Sequence, residues 1–287
     1  MKVYGKLIKT NQKERVIKLL SSKKVYYLYM SRKFFKDFGP YFYNKPYLFL
    51  NITEVKKKYG SFYCNEIISF DKVVESRIKE RKVYYNIDTI RKGVRRLLDN
   101  NKYKLFLDLE FSLPSYYQTK RHIPEIVQYG MILESPDGDI VFEDGSLVNP
   151  LRKYALNLRT YKFLNKSKED FNNACSYIEF YQLLEKIIDE YSDLKIIAWG
   201  RNDILTMEQS FKLNRLKPLD IRNRYMNLMQ IVKNYYNYKT DLGLFNTYEE
   251  MTGITQPGQS HNALEDALLT REIYHIFKRT AQAEVEI

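Results

Sequence analysis

Two carboxylates interrupt an apolar stretch near the middle of the chain. The stretch KLFLDLEFS covers residues 104–112 and carries Asp108 and Glu110 two positions apart. The Leu and Phe residues around them predict a buried strand, and alternation along a strand points both carboxylates to the same face. Like charges side by side at the end of a buried strand are costly, which makes the pair a candidate functional site. On its own, a D-x-E sequence also fits a solvated strand end.

Two later segments carry further polar groups of the same kind. Asp203 lies in WGRND, after the apolar run IIAW, where the pattern predicts a strand-to-helix turn. His261 and Asp266 lie in SHNALEDA, at the predicted start of the last helix. Sites in open α/β sheets gather at the carboxyl ends of strands, so these side chains could converge with the first pair. Asp203 could instead only cap its helix, and His261 and Asp266 could be surface residues.

The elements that would position these groups make up residues 101–287. The apolar patterns predict three strands, a helix, a strand, a helix, a fifth strand and then helices. The corresponding segments are KLFLDLEFS, EIVQYGMILES, DIVFEDGSLV, NNACSYIEFYQLLEKIIDEYS, LKIIAWG, RNDILTMEQSFKLN and LDIRN (residues 219–223), followed by three helical stretches. This order predicts an α/β fold with a mixed five-stranded sheet flanked by helices.

The three polar segments together resemble the motifs of the DEDDh 3′-to-5′ exonuclease superfamily, which includes RNase T-like and proofreading exonuclease domains. FLDLEFS resembles the first motif, D-x-E at the end of strand one. WGRND resembles the second, an Asp just after a buried strand, and HNALEDA resembles the third, H-x-A-x-x-D-A. The resemblance covers about residues 101–280 and implies a ribonuclease-H-like sheet whose central strand carries Asp108 and Glu110.

The resemblance implies a role for each polar group. Asp108, Glu110, Asp203 and Asp266 would be ligands of two divalent metal ions, Mg²⁺ or Mn²⁺, and His261 would be the general base. Such hard cations prefer carboxylate oxygen, and two of them stabilise the attacking and leaving oxygens of phosphoryl transfer. A histidine with a pKa near ~6.5 can take a proton from water at neutral pH. The implied reaction is 3′-to-5′ hydrolysis of terminal phosphodiesters, which releases nucleoside 5′-monophosphates.

Two neighbours of these residues are candidate substrate contacts. Phe111 follows Glu110 directly and could press on the terminal base or sugar, or could simply pack in the core. Asn202 precedes Asp203 and could hydrogen-bond the substrate, or could only shape the turn. The segment between the third and fourth predicted strands lacks the Thr-Gly-Ile-Thr stretch that many relatives carry there. Substrate contacts from that loop therefore do not transfer to this chain.

The charge of the chain is unevenly distributed. Residues 1–100 hold 24 Lys and Arg against 9 Asp and Glu, a net charge of +15, whereas the other residues have a net charge of −3. Residues 1–75 also interleave these cations with Tyr and Phe, most densely in KKVYYLYMSRKFFKDFGPYFYNKPY. Cations neutralise phosphates and aromatic faces stack on unpaired bases, so the basic half predicts binding of single-stranded nucleic acid. Alternatively, its aromatic residues form a core and its lysines only keep it soluble.

The first 100 residues are predicted to form two parts. Within residues 1–75, three strand patterns, a short helix and two more strand patterns follow one another, which is the order of a small OB-like β-barrel. An SH3-like or other small barrel is the alternative. Residues 76–100 contain TIRKGVRRLL, which predicts a basic helical connector. The chain would therefore have a barrel at 1–75, a connector at 76–100 and an exonuclease domain at 101–287.

Several classes of protein are disfavoured. The chain has 44% hydrophobic residues, enough for a folded core, and its two cysteines, Cys64 and Cys175, have no metal-ligand pattern around them. The N-terminal stretch has no signal-peptide apolar region and no apolar run approaches 18 residues, so a reducing, cytoplasmic location without membrane contact is expected. P-loop, H-E-x-x-H and C-x-x-C motifs are also missing.

The nature of the substrate stays open. RNA is favoured over DNA, because stand-alone relatives with small accessory domains often act on RNA. A DNA-directed exonuclease of the same fold is one alternative. A non-catalytic, nucleic-acid-binding regulatory protein is the other, although a missing carboxylate or histidine would favour it and none is missing.

Overall fold

The chain forms two compact units. The computed structural model describes residues 1–22, 24–76, 81–117, 122–255 and 261–283. One unit consists of Met1–Arg96 and Asn234–Thr240, and the other of Leu97–Lys233 and Asp241–Ile287. The functional boundaries predicted at residues 75 and 100 stay predictions, and residues 77–80 of the predicted connector lie outside the described residues.

A five-stranded barrel forms the centre of the first unit. The elements of this unit are β1 (Lys2–Asn11), β2 (Val16–Ser21), β3 (Lys24–Tyr29), α1 (Arg32–Phe38), β4 (Tyr47–Ile52), β5 (Lys57–Tyr59), β6 (Phe62–Ser76), β7 (Arg81–Asn86) and α2 (Ile87–Leu98), whose last residues pass into the second unit. Strand β1 pairs with β2 and β4, β2 pairs with β3, and β6 pairs with both β4 and β3. This closure, with α1 between the third and fourth strands, confirms the small OB-like barrel. The pairing of β5 and β7 with β6 was not predicted.

The residue pattern of β1 explains how this strand serves the barrel. Its side chains alternate between exposed and buried, so Val3 and Leu7 enter the core while Tyr4 points outward. At Gly5 a Cβ atom would lie 2.2 Å from the carbonyl oxygen of Leu20. Only glycine therefore allows β1 and β2 to approach so closely at this point.

A segment from far along the chain completes the first unit. In Asn234–Thr240, the Tyr235 ring lies under the guanidinium groups of Arg91 and Arg95, at 5.5 and 5.6 Å from the ring centroid. Arg91 Nε also donates to the Tyr235 carbonyl oxygen at 3.1 Å. Asn237 Nδ2 donates to the carbonyl oxygen of Phe70 at 2.9 Å. These bonds fasten the segment to α2 and β6.

A mixed sheet flanked by helices forms the second unit. Its elements are β8 (Lys104–Phe111), β9 (Ile126–Glu134), β10 (Ile140–Asn149), α3 (Leu158–Leu164), β11 (Cys175–Ser176), α4 (Tyr177–Glu190), β12 (Lys195–Ala198), α5 (Asn202–Leu213), β13 (Tyr225–Asn227), α6 (Leu228–Tyr236), whose last residues belong to the first unit, α7 (Leu244–Thr252) and α8 (Ala263–Ala283). The strand order is β11-β10-β9-β8-β12-β13, with β9 antiparallel to both neighbours and β12 parallel to both. The predicted mixed sheet is confirmed, and the two-residue β11 extends its edge.

One predicted strand is placed wrongly in the sequence. Residues 219–223 were expected to form the fifth strand, but the strand there is β13, which begins at Tyr225 and pairs with β12. Ile221 is buried, as the prediction required, but it lies in an irregular segment before a turn. Asn223 Nδ2 donates to Asp220 Oδ1 at 2.8 Å, a local bond that competes with strand pairing.

The two faces of the sheet have different partners. Alternation along β8 directs Leu105, Leu107 and Leu109 into a core shared with α4 and α5. The other face of β8 carries Phe106, whose ring lies 5.6 Å from that of Tyr274 in α8. Asp108 and Glu110 share this second face by alternation, so they lie on the side that α8 covers. In the described ranges, no helix is long and apolar enough to cross a lipid bilayer.

A buried ion-pair network ties α8 to the far end of the sheet. Glu134, at the end of β9, is fully buried and lies 3.3 Å from Lys104 Nζ. Its other oxygen accepts from Arg271 Nε at 2.7 Å and lies 2.6 Å from His275 Nε2. Burial would raise the pKa of Glu134, but the His275 hydrogen bond and the three nearby cationic side chains outweigh it and lower the pKa. The network holds α8 in one register on the sheet.

Candidate active site

Three of the predicted carboxylates meet at the end of β8. Asp108, Glu110 and Asp266 each place one oxygen within 4.8 Å of the other two. Glu110 and Asp266 are buried and Asp108 is partly buried. The strand supplies two of the groups and the first turn of α8 supplies the third. The arrangement brings together residues that the sequence separates widely.

The donor set fits a hard divalent cation. All three groups offer carboxylate oxygen, which Mg²⁺ and Mn²⁺ prefer over nitrogen or sulfur. Asp266 Oδ1 is buried and has no hydrogen-bond partner among the described residues. A buried, unpaired acceptor needs an explanation, and a cation ligand is one that the neighbouring carboxylates also support.

The pKa values of the clustered carboxyl groups also indicate a cation site. Burial, followed by the charges of the neighbouring carboxylates, raises the pKa of Asp108 well above its usual range. Burial also raises the pKa of Glu110 to about 8, and the charges of Asp266 and Asp203 add to the rise. Burial raises the pKa of Asp266 to about 6. Such clustered, strained carboxyl groups are typical of functional sites.

Asp203 lies beside this group of three rather than within it. It is buried in the first turn of α5, and its charge contributes to the raised pKa of Asp108. Burial raises the pKa of Asp203 itself to about 7, although backbone N–H groups, including that of Leu109, oppose the rise. Gly200, at a φ of 117°, makes the turn from β12, and Tyr225 donates to its carbonyl oxygen at 2.7 Å. These features position the fourth carboxylate.

His261 lies two residues before α8 begins, and its ring is next to the carboxylates. Its Nδ1 lies 3.5 Å from Glu110 Oε1, and 28% of its side chain is exposed. The φ of His261 is 47°, in the left-handed region, and Asn262 Oδ1 accepts from the backbone N–H of Leu264 at 3.2 Å to start the helix. Burial lowers the pKa of His261, so its ring is neutral at pH 7 and can accept a proton.

The His261 ring is held by an aromatic side chain that the sequence did not reveal. The Phe163 ring lies 4.0 Å from it, centroid to centroid, with 33° between the planes. Phe163 belongs to α3, which begins at Leu158. The N-cap residue of this helix is Asn157, whose side chain accepts from the N–H of Thr160 at 3.2 Å. This helix lies between β10 and β11. The only sequence signal was a short apolar run, YKFL.

Two glycines let α8 reach the carboxylates. Gly130 pairs with Asp108 in the β8–β9 register and with Gly145 in the β9–β10 register. A Cβ atom on Gly130 would lie 2.3 Å from the backbone of Ala263, and one on Gly145 would lie 3.0 Å from Leu264 Cβ. The first turn of α8 therefore rests directly on the sheet, which brings Asp266 to Asp108.

Replacing Gly130 by Ala is expected to destabilise the protein, because the new methyl group forces α8 away from the sheet. We expect the free energy of unfolding to fall by about 1–3 kcal/mol in urea titrations. Gly93→Ala is the matched control, since nothing lies within 4 Å of the added Cβ in α2. That variant should gain about 0.5–1 kcal/mol. Equal stability of the two variants would contradict the close approach of α8.

The two predicted substrate contacts, Phe111 and Asn202, lie in different environments. Phe111 is partly buried and packs against the core beneath the sheet, as its core-packing alternative requires. Asn202 is exposed as the first residue of α5. Their contact with substrate stays a prediction. Gln128, which pairs with Glu110 in the register, was missed: it is buried, and its Oε1 lacks a partner in the described part of the chain.

Solved structures, but no curated sequences, are similar to this chain. No family model and no curated protein sequence matches the chain. The solved nuclease domain of 3′hExo, a DEDDh family member bound to rAMP, has a TM-score of 0.52 and 20% identity, over 63% of this chain and 92% of that one. The second unit of the chain therefore shares the fold of that nuclease domain.

Two further solved structures share this fold. A 3′-exonuclease in 3′-end specific recognition of a histone mRNA stem-loop has a TM-score of 0.52 and 18% identity, over 68% of this chain and 71% of that one. Cell-death related nuclease 4 has a TM-score of 0.52 and 18% identity, over 63% of this chain and 64% of that one. At these identities the likeness concerns the fold, and the chemistry must be argued from the site.

Proposed function

We propose that the protein is a metal-dependent 3′-to-5′ exonuclease of the DEDDh superfamily that acts on single-stranded nucleic acid, with RNA as the favoured substrate. The observation that carries the proposal is the meeting of Asp108, Glu110 and Asp266 within 4.8 Å, with His261 3.5 Å from Glu110. The nuclease fold supports it, as do the structures of similar fold solved with rAMP and described for mRNA stem-loop recognition.

Each residue has a distinct role in the proposed reaction. The four carboxylates, Asp108, Glu110, Asp203 and Asp266, would hold two divalent cations, Mg²⁺ or Mn²⁺. When bound, the cations would stabilise the charge that develops on the phosphate in the transition state. Neutral His261 would take the proton from the attacking water at a ring nitrogen. The water oxygen bonds to phosphorus, the bond to the 3′ oxygen of the penultimate nucleotide breaks, and a nucleoside 5′-monophosphate leaves.

The first unit would bind the single strand. The net charge of +15 in residues 1–100 and the OB-like barrel support this part of the proposal. Binding there would not depend on the chemistry at the carboxylates. The two parts can therefore be tested separately.

The deciding experiment uses purified protein on 5′-labelled RNA and DNA of identical sequence, with Mg²⁺, with Mn²⁺ and with EDTA. We expect metal-dependent shortening from the 3′ end, faster on RNA, with nucleoside 5′-monophosphates as products. Asp108→Ala should be inactive. Equal activity in that variant, or activity in EDTA, would overturn the proposed catalysis, and faster shortening of DNA would overturn the RNA preference.

Replacing His261 by Gln is expected to lower the rate of hydrolysis by about 10²–10⁴, because the general base is lost. The variant should still show the rise in melting temperature that Mg²⁺ produces in the wild type, since the carboxylates are intact. Single-turnover kinetics and thermal melts measure the two effects. If both disappear together, His261 holds the site in shape and is not the base.

A further inference from the structure

An exposed aromatic groove crosses four strands of the first unit, and nothing described so far uses it. Tyr4 in β1 is 59% exposed and Phe49 in β4 is 37% exposed. The two residues pair in the strand register, and their rings stack with centroids 5.6 Å apart and 15° between the planes. Tyr47 and Val83, which are 40% and 50% exposed, extend the apolar surface toward β7.

Cations border this groove. Lys72 pairs with Phe49 across β4 and β6, and Arg81 lies at the start of β7. The groove has a volume of about 350 Å³, within the range of ligand pockets. In the described part of the chain, its lining contains these two cations and no carboxylate. A flat aromatic pair beside two cations is what stacking on bases and neutralising phosphates require.

The aromatic rings on the outer face of β2 and β3 are, by contrast, already covered. Tyr29 stacks on Tyr59 with centroids 3.7 Å apart and 5° between the planes, and Arg15 lies 5.6 Å from the Tyr29 centroid. Tyr27 has Lys18 at 5.6 Å from its centroid. A base would have to displace these internal partners before it could stack on that face.

The rings of the groove do not have such cover. Among the described residues, no cation lies over the ring of Tyr4 or Phe49, and each stacks only on the other. Tyr, Phe and Arg are also common in protein–protein interfaces, so a protein partner is one of the outcomes that the test distinguishes. The charge and the free aromatic faces together favour a polyanion with unpaired bases.

We propose that the groove formed by Tyr4, Tyr47, Phe49, Lys72, Arg81 and Val83 is the site at which the first unit binds single-stranded nucleic acid. A base stacks on the Tyr4–Phe49 pair, and Lys72 and Arg81 contact the adjoining phosphates. The proposal rests on the proposed binding of single strands by this protein. It assigns that binding to the β1–β4–β6–β7 face instead of the β2–β3 face.

The test measures binding of the full chain to a 5′-fluorescein-labelled oligo(U) RNA by anisotropy, in EDTA, across a salt series. The double variant Tyr4→Ala/Phe49→Ala should bind at least about fivefold more weakly, because one base loses the aromatic pair on which it stacks. Lys72→Gln should lower the slope of log affinity against log salt by about 0.7. Tyr27→Ala, on the other face, should bind like the wild type. Thermal melts check that the variants are folded.

Three outcomes would overturn the proposal. One is wild-type affinity in both the double variant and Lys72→Gln. Another is a loss of affinity in Tyr27→Ala that matches or exceeds that of the double variant. This result would place the bound RNA on the β2–β3 face. The third is self-association of the wild type that the double variant abolishes while its RNA affinity stays unchanged, which would make the groove a protein interface. Because no divalent cation is present, a failure of the proposed nuclease activity would not affect the result.

Discussion

Asp108→Asn is expected to make the metal-free protein more stable at pH 8 while it strongly reduces the proposed nuclease activity. The wild-type cluster carries raised pKa values, about 8 for Glu110, about 7 for Asp203 and about 6 for Asp266. A carboxyl group whose pKa is higher in the folded state stabilises the fold only while it is protonated. The metal-free wild type should therefore lose stability as the pH rises from about 4, the pKa of carboxyl groups in the unfolded chain, to about 8.5.

The neutral amide removes one charge from the cluster and so relieves this repulsion. We expect the free energy of unfolding at pH 8 in EDTA to rise by about 1 kcal/mol or more, and the difference to shrink toward pH 5.5. The proposed hydrolysis should fall at least about 100-fold, and the increase in melting temperature that we expect Mg²⁺ to cause in the wild type should be lost.

Asp189→Asn is the matched control, because Asp189 is exposed on α4 and makes the same change of charge. Its stability should stay within about 0.5 kcal/mol of the wild type at both pH values. Denaturant titrations in EDTA and in Mg²⁺ supply all of these quantities. A metal-free Asp108→Asn variant that is less stable than the wild type at pH 8 would show that the carboxylates do not repel one another as described.

Glu134→Gln is expected to cause the largest loss of stability of any variant considered. Glu134 is fully buried, and Lys104, 3% exposed, lies 3.3 Å away. The amide keeps the shape of the side chain but leaves the Lys104 ammonium buried without its counter-charge. Breaking a buried pair in this way costs about 3–5 kcal/mol. Urea titrations at pH 7 measure the loss.

Glu208→Gln provides the comparison for this buried pair. Its partner, Arg222, has a side chain that is 70% exposed, and exposed pairs contribute at most about 1 kcal/mol. Because the pKa of Glu134 is lowered in the folded state, its ionised form stabilises the fold at neutral pH. This stabilisation is lost as the pH falls through that pKa. The difference in the free energy of unfolding between the wild type and Glu134→Gln should therefore become smaller at acidic pH. Similar losses in the two variants at pH 7 would refute the role given to the network.

The sequence was most informative where a short period sets the geometry. Alternation along a strand placed Asp108 and Glu110 on one face. This relation is local, so it could be predicted without knowing what the strand packs against. The barrel order of the first unit was also predictable, because each of its main strands has its own apolar pattern.

Long-range packing explains what the sequence did not reveal. Phe163 reaches His261 through a helix in an unremarkable basic segment, and no local period links the two residues. The buried Ile221 suggested a strand in a segment that the fold uses as a loop and turn. Gly130 gave no sign of its role, since the need for glycine arises only when Ala263 rests on it.

The origin of Asn234–Thr240 has a consequence for synthesis on the ribosome. The barrel strands leave the ribosome first, but the segment that carries Tyr235 and Asn237 follows Arg96 only after most of the second unit has been made. At about 5–20 residues per second this delay is on the order of ten seconds. During that time Arg91 and Arg95 lack the tyrosine ring on which they will stack. The first unit to emerge is thus completed late, and a fragment that ends at Arg96 would be a nascent intermediate, not an independent domain.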